Sequence, residues 1–154
     1  MKKLTLTTFI FLFAATCALA KQPSTFGLGI QAGNPTGLSG KLWTSKTNAY
    51  AFLYAWNTLG DTYIHLHADY LWHDFKQILV DEGRMPVYYG IGGWVESGNK
   101  TQVGVRVPVG LEYIFPSNKV DIFMEIAPGI RLVEGTAFTI QVGIGGRYYF
   151  SPVK

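Results

Sequence analysis

The sequence predicts an all-β chain forming one eight-stranded, antiparallel, up-and-down transmembrane β-barrel. Three observations carry that expectation. Residues 136–150 set Phe138, Ile140, Val142, Ile144, Gly146, Tyr148 and Phe150 on one parity, against Ala137, Thr139, Gln141, Gly143, Gly145, Arg147 and Tyr149 on the other. Period two is the repeat of a strand, and a bulky apolar face opposite a small-and-charged one suits a wall between lipid and a polar interior. Seven earlier segments alternate in the same way. The third observation is the sorting of aromatics along their apolar faces, taken up below.

The start of the chain is of another kind. Lys2 and Lys3 precede an apolar run to about residue 20, closing on Ala18-Leu19-Ala20. A charged n-region, an h-region and an A-x-A site together predict a secretory signal peptide over residues 1–20, leaving residues 21–154 as one barrel domain. The run is short for a helical span of about 20 residues. Thr16 is a poor residue to precede a lipidated Cys17, which disfavours a lipoprotein signal. Loss of Lys2 and Lys3 from the 13 basic residues leaves 11 against 10 acidic ones, so the exported chain is close to neutral. No basic run marks a nucleic-acid surface. Cys17 is the only cysteine, and an exported chain without it does not rely on disulfides.

In chain order, residues 26–32 put Phe26, Leu28 and Ile30 opposite Gly27, Gly29 and Gln31, and Asn34-Pro35-Thr36-Gly37 turns the chain. Residues 38–44 set Leu38, Gly40 and Leu42 against Ser39, Lys41 and Trp43. Residues 50–57 carry Tyr50, Phe52, Tyr54 and Trp56 opposite Ala51, Leu53 and Ala55. The aromatics are assigned outward because a narrow barrel has little room for four of them inside. Residues 62–73 alternate Ile64, Leu66, Ala68, Tyr70 and Trp72 with His65, His67, Asp69, Leu71 and His73, before a longer connection at 74–85. Residues 87–96 pair Val87, Tyr89, Ile91 and Val95 with Tyr88, Gly90, Gly92, Trp94 and Glu96. Residues 103–115 are the cleanest, five odd-numbered aliphatics followed by Tyr113 and Phe115 against Gly104, Arg106, Pro108, Gly110, Glu112 and Ile114. Residues 120–132 set Ile122, Met124, Ile126, Pro128 and Ile130 against Asp121, Phe123, Glu125, Ala127, Gly129 and Arg131. Pro108 and Pro128 each remove a ladder donor, which predicts bulges or kinks.

If the chain runs up and down, one rim collects Phe26, Tyr50, Tyr70 with Trp72, Tyr89, Tyr113 with Phe115, and Tyr148 with Phe150. Membrane barrels place such a girdle at the lipid headgroups. A soluble sheet has no reason to sort its aromatics this way.

The other parity carries Lys41, Arg106, Arg131 and Arg147 alongside Asp69, Glu96, Glu112 and Glu125, with Asp121 near a rim. An eight-stranded barrel is filled by its own side chains, and buried charge is costly unless paired. A self-neutralising polar plug is therefore expected, and a small ion pathway along the same residues is the alternative. His65, His67 and Asp69 share a strand face with His73 further along, a ligand set that suits a transition metal or a pH response, though a polar lumen selects such residues in any case. No metal or cofactor is assigned. No nucleophile elbow, phosphate loop or zinc-protease signature occurs, so no enzyme is expected.

This pattern resembles the eight-stranded outer-membrane barrels of the OmpA transmembrane-domain and OmpX type. More narrowly, it looks like a family of short outer-membrane barrels catalogued as a domain of unknown function, through Pro35 to Lys41, His65 to His73, Tyr88 to Gly93, Gly104 to Leu111, Asp121 to Phe123 with Pro128, and Gly143 to Phe150. The terminal Gly-x-x-Tyr-x-Phe is similar to the signal read by the outer-membrane barrel assembly machinery, although Ser151 to Lys154 follow it. The resemblance implies an outer-membrane location, outer-membrane lipid and that machinery as partners, and no catalytic residues. Lipid A deacylases of this size keep a lipid-facing His and Ser together on a strand; here the histidines face inward and no His-x-Ser occurs. With both termini periplasmic, the outward loops at 34–37, 58–61, 97–101 and 134–136 are short, which weakens a receptor role. A soluble exported barrel holding an apolar ligand remains as a further alternative, and it needs the apolar face inward.

Overall fold

The computed structural model describes residues 25–57 and 63–153. The expected signal peptide and the whole of the 58–61 loop lie outside the described residues. Among the described residues nine strands follow one another: β1 (Thr25–Asn34), β2 (Gly37–Trp43), β3 (Asn48–Asn57), β4 (Tyr63–Asp74), β5 (Val87–Ser97), β6 (Thr101–Arg106), β7 (Val109–Ile114), β8 (Val120–Arg131) and β9 (Ala137–Tyr149). Each pairs antiparallel with its chain neighbours, except that β6 and β7 both lie between β5 and β8. β1 pairs with β9, Gly27 facing Tyr149, and closes the sheet. The nine segments thus build eight staves of a closed antiparallel barrel, the sixth stave being split.

The split falls at Val107 and Pro108, and its cause is the missing proline donor rather than a bulge. Against β8, Arg106 faces Gly129 and Val109 faces Ile126, so three steps on one strand match three on the other. Against β5, Arg106 faces Gly92 and Val109 faces Tyr89, again without an extra residue. The partners still donate across the gap, Gly90 N to the Pro108 carbonyl and Val107 N to the Pro128 carbonyl, both at 2.9 Å. Each facing pair keeps the bond that proline accepts and lacks the one it would have donated. β8 runs through Pro128 without interruption. The expected bulges are therefore absent, and only the ladder at Pro108 is broken.

The parity assignment holds along every stave. Ile30, Ile91, Ile122, Met124, Val142, Ile144 and Phe138 are exposed on the outer face, while Lys41, Asp69, Arg106, Glu112, Tyr88 and Tyr149 are buried inside. An apolar outside and a polar inside is the reverse of what a soluble barrel around an apolar ligand needs. Inward glycines make room for the large lumen side chains. A Cβ at Gly92 would lie 1.8 Å from Asp69 Oδ1, and one at Gly27 would lie 2.5 Å from the Tyr149 ring.

The outer aromatics gather at the rim that also holds the described termini. Phe150 contacts Tyr148 and Phe26 at 6.1 Å, and Phe26 continues to Phe52 at 6.0 Å. Tyr50 meets Tyr70 at 5.0 Å, Tyr70 meets Trp72 at 4.9 Å, and Trp72 stacks on Tyr89 at 5.8 Å. Tyr113 and Phe115 form a further pair at 4.9 Å. Phe52, which residue order alone leaves outside the rim set, joins the first of these chains.

Candidate functional site in the barrel lumen

Inward side chains from staves far apart in sequence meet in three groups. Nearest the termini, Lys41 Nζ on β2 donates to Glu112 Oε1 and Oε2 on β7 at 2.6 and 2.7 Å. Arg147 on β9 donates through Nη2 to Glu112 Oε1 at 3.1 Å and through Nε to both Asp121 oxygens at 3.1 Å. The Tyr149 hydroxyl donates to Asp121 Oδ2 at 2.5 Å. His73 Nε2 lies 2.8 Å from Lys41 Nζ, and its Nδ1 lies 3.0 Å from the Thr47 carbonyl. Lysine is always a donor here, so His73 Nε2 accepts and Nδ1–H donates to Thr47. Two rings complete the group, Trp43 with Lys41 Nζ 4.3 Å from its centroid and Phe123 with the Arg147 guanidinium 4.0 Å away.

The middle group centres on Arg106 of β6. Its Nη2 bonds Glu125 Oε1, its Nη1 donates to Gln141 Oε1 at 2.5 Å and to His67 Nδ1 at 3.0 Å, and its Nε lies 3.2 Å from Asp69 Oδ1. Because the guanidinium can only donate, His67 carries its proton on Nε2, which lies 3.6 Å from Asp69 Oδ2. The Tyr88 hydroxyl donates to Glu125 Oε2 at 2.9 Å. Neither Asp69 oxygen has a hydrogen bond, so that carboxylate is held by charge alone.

Towards the loop-side mouth the contacts loosen. His65 Nδ1 lies 3.3 Å from Glu96 Oε2, and the His65 ring stacks on Trp94 at 5.8 Å. Among the described residues Arg131 meets no carboxylate; it donates to Gln102 Oε1 at 3.1 Å and to the Gly135 carbonyl at 3.0 Å. The Glu96 side chain is 33% exposed, whereas those of Lys41 and Glu112 are 0% exposed.

All eight expected lumen charges thus face inward, but their balance differs from four against four. Asp121, expected near a rim, is 0% exposed and lies inside the first group, and Arg131 stands apart at the open mouth. Sequence reading also missed Tyr149, Tyr88 and Gln141 as lumen partners, although their parity already pointed inward. Among the described residues, no three His, Cys, Asp or Glu side chains converge as metal ligands. His67 is turned to Arg106 and His65 to Glu96 instead. What the arrangement does chemically is pair buried charges across the lumen, Lys41 and Arg147 with Glu112 and Asp121, and Arg106 with Asp69 and Glu125.

The chain is similar in fold to a solved structure, the N-terminal β-barrel domain of Pseudomonas aeruginosa OprF. The two share 15% sequence identity with a TM-score of 0.51, over 82% of this chain and 96% of that domain. No family model matches the chain, and no curated protein matches its sequence.

Proposed function

We propose that this protein is an integral outer-membrane β-barrel with a closed polar lumen, serving a structural or interaction role without catalysis. In this reading residues 1–20 export the chain, the barrel assembly machinery recognises its last strand through Tyr148 and Phe150, and the aromatic rim sits at the lipid headgroups. The observation that carries the reading is the pairing of an apolar outer wall with a lumen crossed by Lys41, Glu112, Arg147 and Asp121, all buried. Only a hydrocarbon surrounding stabilises that outside, and a solute pathway would need room where these side chains meet. The fold likeness to the OprF domain supports the same reading.

The first test is fractionation followed by gel mobility with and without boiling. Outer-membrane recovery with a heat-modifiable band is expected; soluble recovery without the shift would refute the membrane reading. In planar bilayers the intact protein is expected not to conduct. A narrow channel is the second reading, favoured by the half-open mouth at Glu96 and Arg131. Conductance that changes on Arg106→Ala or Glu112→Ala would replace the closed lumen with that channel.

A further inference from the structure

Residues that lie beyond the last strand pack into the termini-side end of the barrel. After Tyr149 the chain turns under the barrel, and Val153 is 3% exposed in a cluster with Trp43, Ala49, Ile114 and Tyr149, against which Phe75 packs. Its backbone is held from two sides. Val153 N donates to the Asn118 carbonyl at 2.7 Å, and Arg84 Nη2 donates to the Val153 carbonyl at 2.9 Å and to Asn118 Oδ1 at 2.8 Å. Thr25 Oγ1 donates to the Pro152 carbonyl at 3.3 Å. Arg84 is itself anchored, because its backbone exchanges bonds with Ile114 at 2.9 and 2.8 Å. The 74–85 connection, the turn before β8 and the segment after β9 therefore converge on one point.

This closure is separate from the wall. β9 is paired with β1 through Tyr149 and with β8 through Tyr148, whereas residues 151–153 enter neither register. It is also joined to the ion cluster, since Trp43 touches Val153's group on one side and lies 4.3 Å from Lys41 Nζ on the other. An apolar cover over buried ion pairs keeps water from them and so keeps their attraction strong.

We propose that residues 151–153 form a latched stopper: Arg84 and Asn118 hold Val153 in the termini-side mouth, and its release admits water to the Lys41, Glu112, Arg147 and Asp121 cluster while the barrel wall stays closed. The lumen is then a cup open at the Glu96 end, and the stopper is the part of its closure that opens locally, because residues 151–153 lie outside both strand ladders. The inference rests on the closed-lumen reading. Its test is independent of the membrane, so failure of the stopper and failure of the membrane location are told apart by thiol reactivity and by fractionation respectively.

The test uses the full chain carrying Cys17→Ser and Ala49→Cys, folded in detergent, with heat-modifiable mobility as the check of the wall. Ala49 is 0% exposed beneath Val153. With Val153 intact, the thiol introduced by Ala49→Cys is expected to resist a small maleimide. Val153→Asp is expected to speed its modification by roughly tenfold or more, and Arg84→Ala by a smaller factor, as local opening becomes easier. A Leu53→Cys control, deeper on the same face, stays protected in all three backgrounds. Protection unchanged in a folded Val153→Asp barrel would overturn the stopper, as would a thiol that already reacts at the unfolded-chain rate when Val153 is intact. Should Val153→Asp fail to fold, Arg84→Ala decides: no acceleration there overturns the proposal.

Discussion

The two ends of the lumen carry the same kinds of side chain in different surroundings. At the termini end, Lys41 and Arg147 share Glu112, Arg147 also holds Asp121, and the side chains of Lys41, Glu112 and Asp121 are 0% exposed. At the loop end, His65 meets Glu96, whose side chain is 33% exposed, and Arg131 bonds only uncharged groups among the described residues. The inward parity is identical, and the contacts lengthen only from 2.6–3.1 Å to 3.0–3.3 Å. What differs is water. A pair that water reaches gains little from Coulomb attraction, whereas removing one partner of a sealed pair strands a charge. Burial, more than distance, therefore ranks these contacts.

Glu112→Ala attacks the sealed end most directly, since it leaves both Lys41 and Arg147 short of their shared carboxylate. It is expected to cost about 3–5 kcal/mol, read as a lower urea midpoint or a lower temperature for loss of the heat-modifiable band. The double replacement Lys41→Met with Glu112→Leu sharpens the comparison, because removing both charges is expected to recover most of that loss. Arg106→Ala strands Asp69 and Glu125 in the middle group, and about 3 kcal/mol is expected there, as Tyr88 still donates to Glu125. Gly92→Ala places a methyl group where Asp69 Oδ1 lies and is expected to cost about 1–3 kcal/mol by overpacking, measured in the same assay. Glu96→Gln, at the open end, is expected to change stability by about 1 kcal/mol or less. A loss from Glu96→Gln as large as that from Glu112→Ala would break the comparison between the two ends.

Much of this fold is legible residue by residue. The parity of Phe138 through Phe150, of Tyr50 through Trp56 and of Ile64 through His73 is decided by the backbone pleat, which sends neighbours to opposite faces whatever lies across from them. The gathering of Tyr50, Tyr70, Trp72, Tyr89 and Phe150 at one rim follows from the same pleat and the alternating strand directions. The lumen groups were legible as a set but not as pairs. Asp121 looked marginal because it stands second in its strand, yet Arg147 and Tyr149 on the neighbouring stave enclose it. Pro108, lacking a donor, points to a bulge or a kink; the matched register on both sides excludes the bulge, and the ladder is interrupted there instead.

By itself, then, the order of residues determined the inward and outward faces, the positions of the staves and the aromatic rim, since all three depend on local geometry with a period of two. Only the closed structure decided which acid meets which base, that Arg131 bonds Gln102 and Gly135 at the open mouth, and that Val153 packs with Trp43, Ala49, Ile114 and Tyr149 at the other. Lys41 and Glu112 are 71 residues apart, and Arg84 and Val153 are 69 apart. Such contacts depend on how the sheet closes and how its staves are staggered, a property of the whole barrel that no single segment contains.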